Sequence, residues 1–116
     1  MHEYAVTQEI VRIVEEAARG AGAGVKVTRV ILKIGKFSAV VVRYVQHYYD
    51  MMTEGTNLHG AEIDAVEVAA TAECGECGRV YEVIGPDSSC PGCGGPVTTL
   101  LTGRELLVES IEVNDI

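Results

Sequence analysis

From Tyr4 to Arg19 the apolar residues return at helical intervals. Val6, Ile10, Ile13 and Ala17 lie four, three and four residues apart, while Glu9, Arg12, Glu16 and Arg19 fall on other faces. This spacing predicts a helix over residues 4–19, stopped by Gly20 and followed by a flexible Ala21-Gly22-Ala23-Gly24 connector. The chain's amino group then sits on an ordered element, because the helix begins almost at the first residue. Residues 25–35 change to alternation, with Val30, Leu32 and Ile34 set against Arg29, Ile31 and Lys33, and Gly35 ends the run. That pattern predicts a strand, irregular near Thr28. Residues 40–54 carry two signals. Val40-Val41-Val42 favours a strand by propensity, but Val41, Val45, Tyr48 and Met52 keep helical spacing and Gly55 suits a C-cap. The spacing decides for a helix. A second strand is expected over 61–69, with a phase shift near Ala65, and a third over 105–113, with Leu107, Ile111 and Val113 on one face.

The order is helix, strand, helix, strand, cysteine-bearing insert, strand. It implies an α+β fold: a small three-stranded sheet covered by two helices, with a zinc-ribbon domain inserted before the last strand. The expected boundaries put residues 1–70 and 98–116 in the α/β domain and residues 71–97 in the ribbon. A chain of 116 residues with 47% hydrophobic positions can build a core, and without Trp and with one Phe it must rely on Val, Ile, Leu and Ala.

A formal net charge of −8 repels phosphate backbones, and the nine Lys and Arg form no cluster, so a nucleic-acid partner is not expected. No apolar stretch is long enough to cross a bilayer. The N-terminus lacks a basic start and an unbroken apolar core, carries Glu3 and Glu9 early, and so does not read as a signal peptide. The expected setting is the cytoplasm, with no membrane association. In that reducing compartment closely paired cysteines are expected to be metal ligands and not disulfides.

Cys74-Gly-Glu-Cys77-Gly and Cys90-Pro-Gly-Cys93-Gly-Gly are two knuckles separated by twelve residues. Two residues between paired cysteines let one tight turn offer both sulfurs to one ion, and four such thiolates suit tetrahedral zinc. Tyr81, Val83 and Ile84 fit a short hairpin between the knuckles. Iron can use similar knuckles, and redox pairs are a weaker reading because neither Cys-x-x-Cys opens a helix in a βαβ frame. A four-thiolate site has no open position, so the expected role of the zinc is structural.

Met1-His2-Glu3 offers different chemistry. The Met1 amine and the deprotonated His2 amide close a five-membered chelate ring, and His2 Nδ1 closes a six-membered one. The Glu3 amide, its carboxylate or solvent could complete a plane that suits Ni(II) or Cu(II) and not tetrahedral zinc. A histidine beside a terminus is most often only solvated, and His47 and His59 are best read as surface and loop residues. Glu62, Asp64 and Glu67 read as the solvated side of a strand. The sequence contains no phosphate-cradling loop and no catalytic constellation, so an enzyme is not expected.

The opening Met1-His2-Glu3-Tyr4 is followed by a helix and then by Leu32-Lys33-Ile34-Gly35-Lys36-Phe37-Ser38. Next come Glu54-Gly55-Thr56 and the two knuckles, and the whole order resembles the HypA/HybF family of hydrogenase maturation factors. The resemblance implies a nickel metallochaperone. It implies that the N-terminal amine and His2 bind nickel with Glu3 adjoining, and that Cys74, Cys77, Cys90 and Cys93 bind structural zinc. It also implies a HypB-type nickel GTPase as partner and a nickel–iron hydrogenase large-subunit precursor as recipient. Two features depart from the family pattern. Val42-Arg43 stands where many members have Pro-Glu at the second helix, and no histidine flanks the cysteines. The alternative reading is a zinc-ribbon protein-interaction module without a nickel site.

Overall fold

The computed structural model describes residues 2–85, 89–95 and 98–115. Its elements run α1 (Glu3–Ala21), β1 (Val25–Gly35), α2 (Val42–Met52), β2 (Glu62–Val68), β3 (Thr71–Cys74), β4 (Val80–Glu82), β5 (Thr98–Thr102) and β6 (Leu106–Asp115). Two three-stranded sheets result, ordered β2-β1-β6 and β4-β3-β5. The expected α+β architecture is present, including the three-stranded sheet and the insert before its last strand. The chain divides into two compact units. One holds Met1–Lys33, Ala39–Val66 and Leu107–Ile116, and the other holds Ile34–Ser38 and Glu67–Leu106. The second unit therefore contains the whole 71–97 segment together with flanking residues.

In the first unit α1 buries Thr7, Ile10, Val11, Val14 and Ala18. This corrects the face expected from Val6, Ile10, Ile13 and Ala17. Two apolar stripes overlap at Ile10, and the one that contains a threonine goes inward. Thr7 is buried because its hydroxyl donates to the Glu3 carbonyl at 2.6 Å, which removes the cost of an unpaired polar group. The helix also runs past Gly20 to Ala21.

In α2 the inward residues are Val45 and Tyr49. Tyr49 is fully buried and its hydroxyl donates to the Leu58 carbonyl at 2.7 Å. Burial pushes that phenol well above its ordinary pKa. Gly55 takes φ 81° in the turn beyond the helix, whose C-cap is Thr53.

Strand β1 buries Val25 and Val27, then Val30, Leu32 and Ile34, so its alternation does slip around Thr28–Arg29. Its polar positions meet acidic neighbours. Arg29 pairs with Asp64 at 2.7 Å and with Glu112 at 3.6 Å, and Lys33 pairs with Glu109 at 3.6 Å. In β6 Leu107 is 45% exposed, whereas Val108, Ile111 and Val113 are half-buried. Leu107 therefore does not share the face of Ile111 and Val113. The strand's phase breaks at Glu109–Ser110, two consecutive exposed residues that alternation alone cannot locate.

The second unit is built on β3. It pairs antiparallel with β4 through Ala72↔Tyr81 and with β5 through Ala72↔Leu100. Its core is small: Ala70, Ala72 and Val83, with Tyr81 and Leu100 packed against them. Residues 34–38 are bonded into this unit. Lys36 N–H donates to the Val68 carbonyl, Gly35 N–H to that of Glu105 and Phe37 N–H to that of Gly103.

Candidate metal centres

Both knuckles form for the same local reason. Gly78 N–H donates to the Cys74 carbonyl at 3.0 Å, and Gly94 N–H donates to the Cys90 carbonyl at 2.8 Å. Each turn requires left-handed backbone, with φ 75° at Gly78 and 71° at Gly94, which a residue with a Cβ adopts only under strain. Cys74 N–H bonds to Arg79 O at 2.9 Å and Cys90 N–H to Gly95 O at 3.1 Å, closing the two turns alike.

The knuckles face each other with all four sulfurs within 4.8 Å. Cys74 and Cys93 are 3.5 Å apart, and Cys77 and Cys90 3.6 Å. A zinc ion with four thiolates at about 2.3 Å needs edges of about 3.8 Å, so the donor set fits a tetrahedral metal. Cys74 and Cys90 are buried, while Cys77 and Cys93 are exposed.

The thiols are unequal. The backbone N–H groups of Cys77 and Glu76 lower Cys74. The N–H of Cys93, helped by that of Gly92, lowers Cys90 to about 6. The other two are raised. The Arg79 N–H favours the Cys77 thiolate, but the sulfur of Cys90, burial and the sulfur of Cys74 together outweigh it. Cys93 is pushed up to about 12: the Gly95 N–H again favours the thiolate, and the neighbouring sulfurs, Cys74 foremost, outweigh it. Each knuckle thus pairs one sulfur shifted toward the thiolate with one shifted toward the thiol.

The N-terminal region lies in the other unit. Met1 is outside the described residues. His2 is exposed and forms the N-cap of α1, with its carbonyl accepting from Val6 N–H at 3.1 Å. Glu3 is half-buried, and its carboxylate accepts from Val41 N–H at 3.0 Å. That bond, with a second from its own backbone N–H, holds the Glu3 carboxyl below its ordinary pKa. Tyr4 stands edge-on to Tyr48, with ring centroids 5.3 Å apart.

The other histidines belong to neither site. His47 is exposed on α2, its ring 5.5 Å from that of Tyr48. His59 is exposed in a turn, with Nδ1 3.2 Å from the Asp50 carbonyl. Asp64 is spent on Arg29. The sequence alone does not announce β5, although Thr98-Thr-Leu-Leu-Thr102 has strand propensity, nor the bonds that hold residues 34–38 within the cysteine unit.

The family model described as hydrogenase/urease nickel incorporation, metallochaperone, matches residues 1–113. The chain belongs to the HypA family. It is 40% identical over 116 residues to the hydrogenase maturation factor HypA of Nostoc sp. strain PCC 7120, covering all of this chain and 98% of that relative. It is 37% identical over 116 residues to HypA of Streptomyces avermitilis, covering 99% of this chain and 88% of that one. The solution structure of the Ni metallochaperone HypA from Helicobacter pylori matches with a TM-score of 0.69 at 25% identity, covering both chains completely. A second HypA solution structure matches with a TM-score of 0.72 at 26% identity, covering 98% of this chain and 97% of the other. HypA proteins are nickel-incorporation metallochaperones of hydrogenase maturation and not enzymes. The four cysteines form a cluster that could hold a metal ion, and among the described residues no helix is long and apolar enough to cross a membrane.

Proposed function

We propose that this chain binds Ni(II) through the Met1 amine and the backbone amide and Nδ1 of His2. It then passes the ion, with a HypB-type nickel GTPase, to a nickel–iron hydrogenase large-subunit precursor in the cytoplasm. Zinc held by Cys74, Cys77, Cys90 and Cys93 serves architecture. The observation that carries the nickel reading is the start of α1. The hydrogen bond from Val6 N–H to the His2 carbonyl opens the helical ladder, so the amides of His2 and Glu3 lie ahead of it and can lose their protons without breaking a helical bond. The exposed His2 imidazole adjoins them.

Glu3 contributes in a particular way. Its carboxylate accepts from the Val41 N–H and from its own backbone N–H, and taking the Glu3 amide nitrogen as the fourth donor gives up the second bond while keeping the one to Val41. A planar nitrogen set leaves both axial directions open to an incoming ligand, and reprotonation of the imidazole or an amide releases the metal. The chain has no phosphate-binding loop of its own, so energy input belongs to the partner.

The test is calorimetric Ni(II) titration of untagged, zinc-loaded protein beside the His2→Ala variant and a chain extended before Met1. About one nickel per chain is expected, lost in both altered proteins with zinc retained. Equal binding by all three proteins, or by none, would favour the zinc-ribbon interaction module.

A further inference from the structure

Two side chains of the first knuckle cross onto the second, and the glycines of the second make room for them. A Cβ built on Gly92 would lie 3.0 Å from a terminal nitrogen of Arg79 and 3.2 Å from its Cδ, with Cys90 Sγ 3.7 Å from the same point. A Cβ on Gly95 would lie 2.7 Å from a Glu76 carboxylate oxygen, with Cys93 Sγ 3.2 Å away. Arg79 therefore lies over Gly92 on the Cys90 side, and Glu76 lies over Gly95 on the Cys93 side. Neither glycine has positive φ, so it is the space above each that these crossings use.

Charge gives the crossing a consequence. Four thiolates around a dication leave two uncompensated negative charges. The surrounding unit, Ile34–Ser38 with Glu67–Leu106, is itself acidic and contains only Lys36, Arg79 and Arg104 as cations. Lys36 is occupied elsewhere, donating to the carbonyls of Ile84 at 2.8 Å and Val83 at 3.4 Å. Arg79 is the cation brought onto the knuckles. Glu76 adds a negative charge on the opposite flank, beside the exposed Cys93.

We propose that Arg79 is a positioning residue for the four-sulfur site. Carried across Gly92, its guanidinium compensates the charge of the metal-bound thiolates and slows loss of the metal, and Glu76 across Gly95 acts in the opposite sense. The site is thus polarised: Cys90 is buried under the cation, and Cys93 is exposed beside a carboxylate. Cys93 is the sulfur that a competing ligand displaces first. This inference rests on the zinc reading of the four cysteines.

The test uses the full chain loaded with zinc, and follows transfer of the ion to an excess of chromogenic chelator for the parent protein and for R79Q, R79K, E76Q and G92A. An exposed charge interaction of this kind is worth a modest factor, so release about threefold to fivefold faster is expected in R79Q, near-parental release in R79K and slower release in E76Q. G92A alters no charge but fills the space under Arg79, and is expected to move toward R79Q. The gap between parent and R79Q should close as salt rises from about 0.1 M to about 1 M and the screening length falls from about 10 Å to about 3 Å. Release by R79Q at the parental rate would overturn the proposal, and so would R79K behaving like R79Q. Zinc content of the parent is read independently: a parent that holds no zinc would overturn the metal-site reading itself.

Discussion

The carboxylate of Glu3, at the start of α1, accepts a hydrogen bond from the backbone N–H of Val41, the N-cap of α2, at 3.0 Å. A capping box would serve that N–H from a Glu at the third helical position, where α2 has Tyr44. Helix α2 has no side-chain cap and no acidic residue in its first turn. The Pro-Glu expected from the family pattern is absent here, and Glu3 brings a negative charge to this helix end from the neighbouring helix. The carboxyl is lowered in the folded protein, so its contribution to stability is present above the unfolded carboxyl value and is lost as pH falls through the folded one. Glu3→Gln should therefore lower the melting temperature at neutral pH and flatten the acid limb between about pH 3 and pH 5. Thermal melts across that range check it. Parallel limbs for both proteins would remove Glu3 from the acid response.

Glu3→Gln also separates the cap from nickel binding. If the Glu3 amide is the fourth donor, the variant should hold nickel with near-parental affinity while His2→Ala should not. A loss in Glu3→Gln as large as that in His2→Ala would make the carboxylate a ligand. Calorimetry from mildly acid to mildly alkaline buffer should show tighter binding as pH rises, since the donors must lose their protons.

Gly35 admits no side chain. A Cβ there would sit 2.1 Å from the carbonyl carbon of Gly103 and 2.5 Å from the nitrogen of Arg104, both backbone atoms that cannot swing away. Gly35→Ala should cost about 3 kcal/mol or more, the upper end of overpacking penalties, because residues 34–38 would have to leave their backbone bonds. For a chain of this size that is a fall in melting temperature on the order of 10 °C or more. Alanine tolerated without such a fall would mean that Gly103 yields.

Tyr49→Phe keeps the buried ring and removes one hydroxyl. It leaves the Leu58 carbonyl without its partner, and the expected loss is about 1–2 kcal/mol with the helical signal unchanged. Chemical denaturation with an unaltered m-value checks this.

Metal removal should act on one unit. Among the described residues, the cysteine unit has the buried cluster Ala70, Ala72 and Val83 with Tyr81 and Leu100 packed against it, too little apolar surface to order three short strands without a cross-link. Chelation should raise amide exchange across β3, β4 and β5 while the α1 and α2 amides stay protected. Zinc uptake should release protons, chiefly from Cys77 and Cys93, and weaken toward acid pH. Amides of β3 that remain protected in metal-free protein would show that the hairpin core suffices.

Local spacing carried most of the architecture. The helix from Tyr4, the strand from Val25 to Gly35, the order of elements and the two knuckles were all legible in the sequence. Periodicity and the two-residue gap between paired cysteines are short-range properties, and glycines after each pair announce the turns. The face of α1 was not legible, because Val6–Ile13–Ala17 and Thr7–Val14–Ala18 both meet at Ile10 and only packing against the rest of the unit selects between them. The phase of β6 was equally hidden, since a break at Glu109–Ser110 flips every later side chain without changing the composition.

What the sequence determined by itself is therefore most of the elements, β5 excepted, and the chemistry of the four sulfurs. What the tertiary structure decided is which distant groups meet: Glu3 with Val41, Gly35 with Gly103, Arg79 and Glu76 with the opposite knuckle. Those meetings depend on hydrogen bonds and close approaches between segments up to 68 residues apart, and no local pattern encodes the partner at the far end.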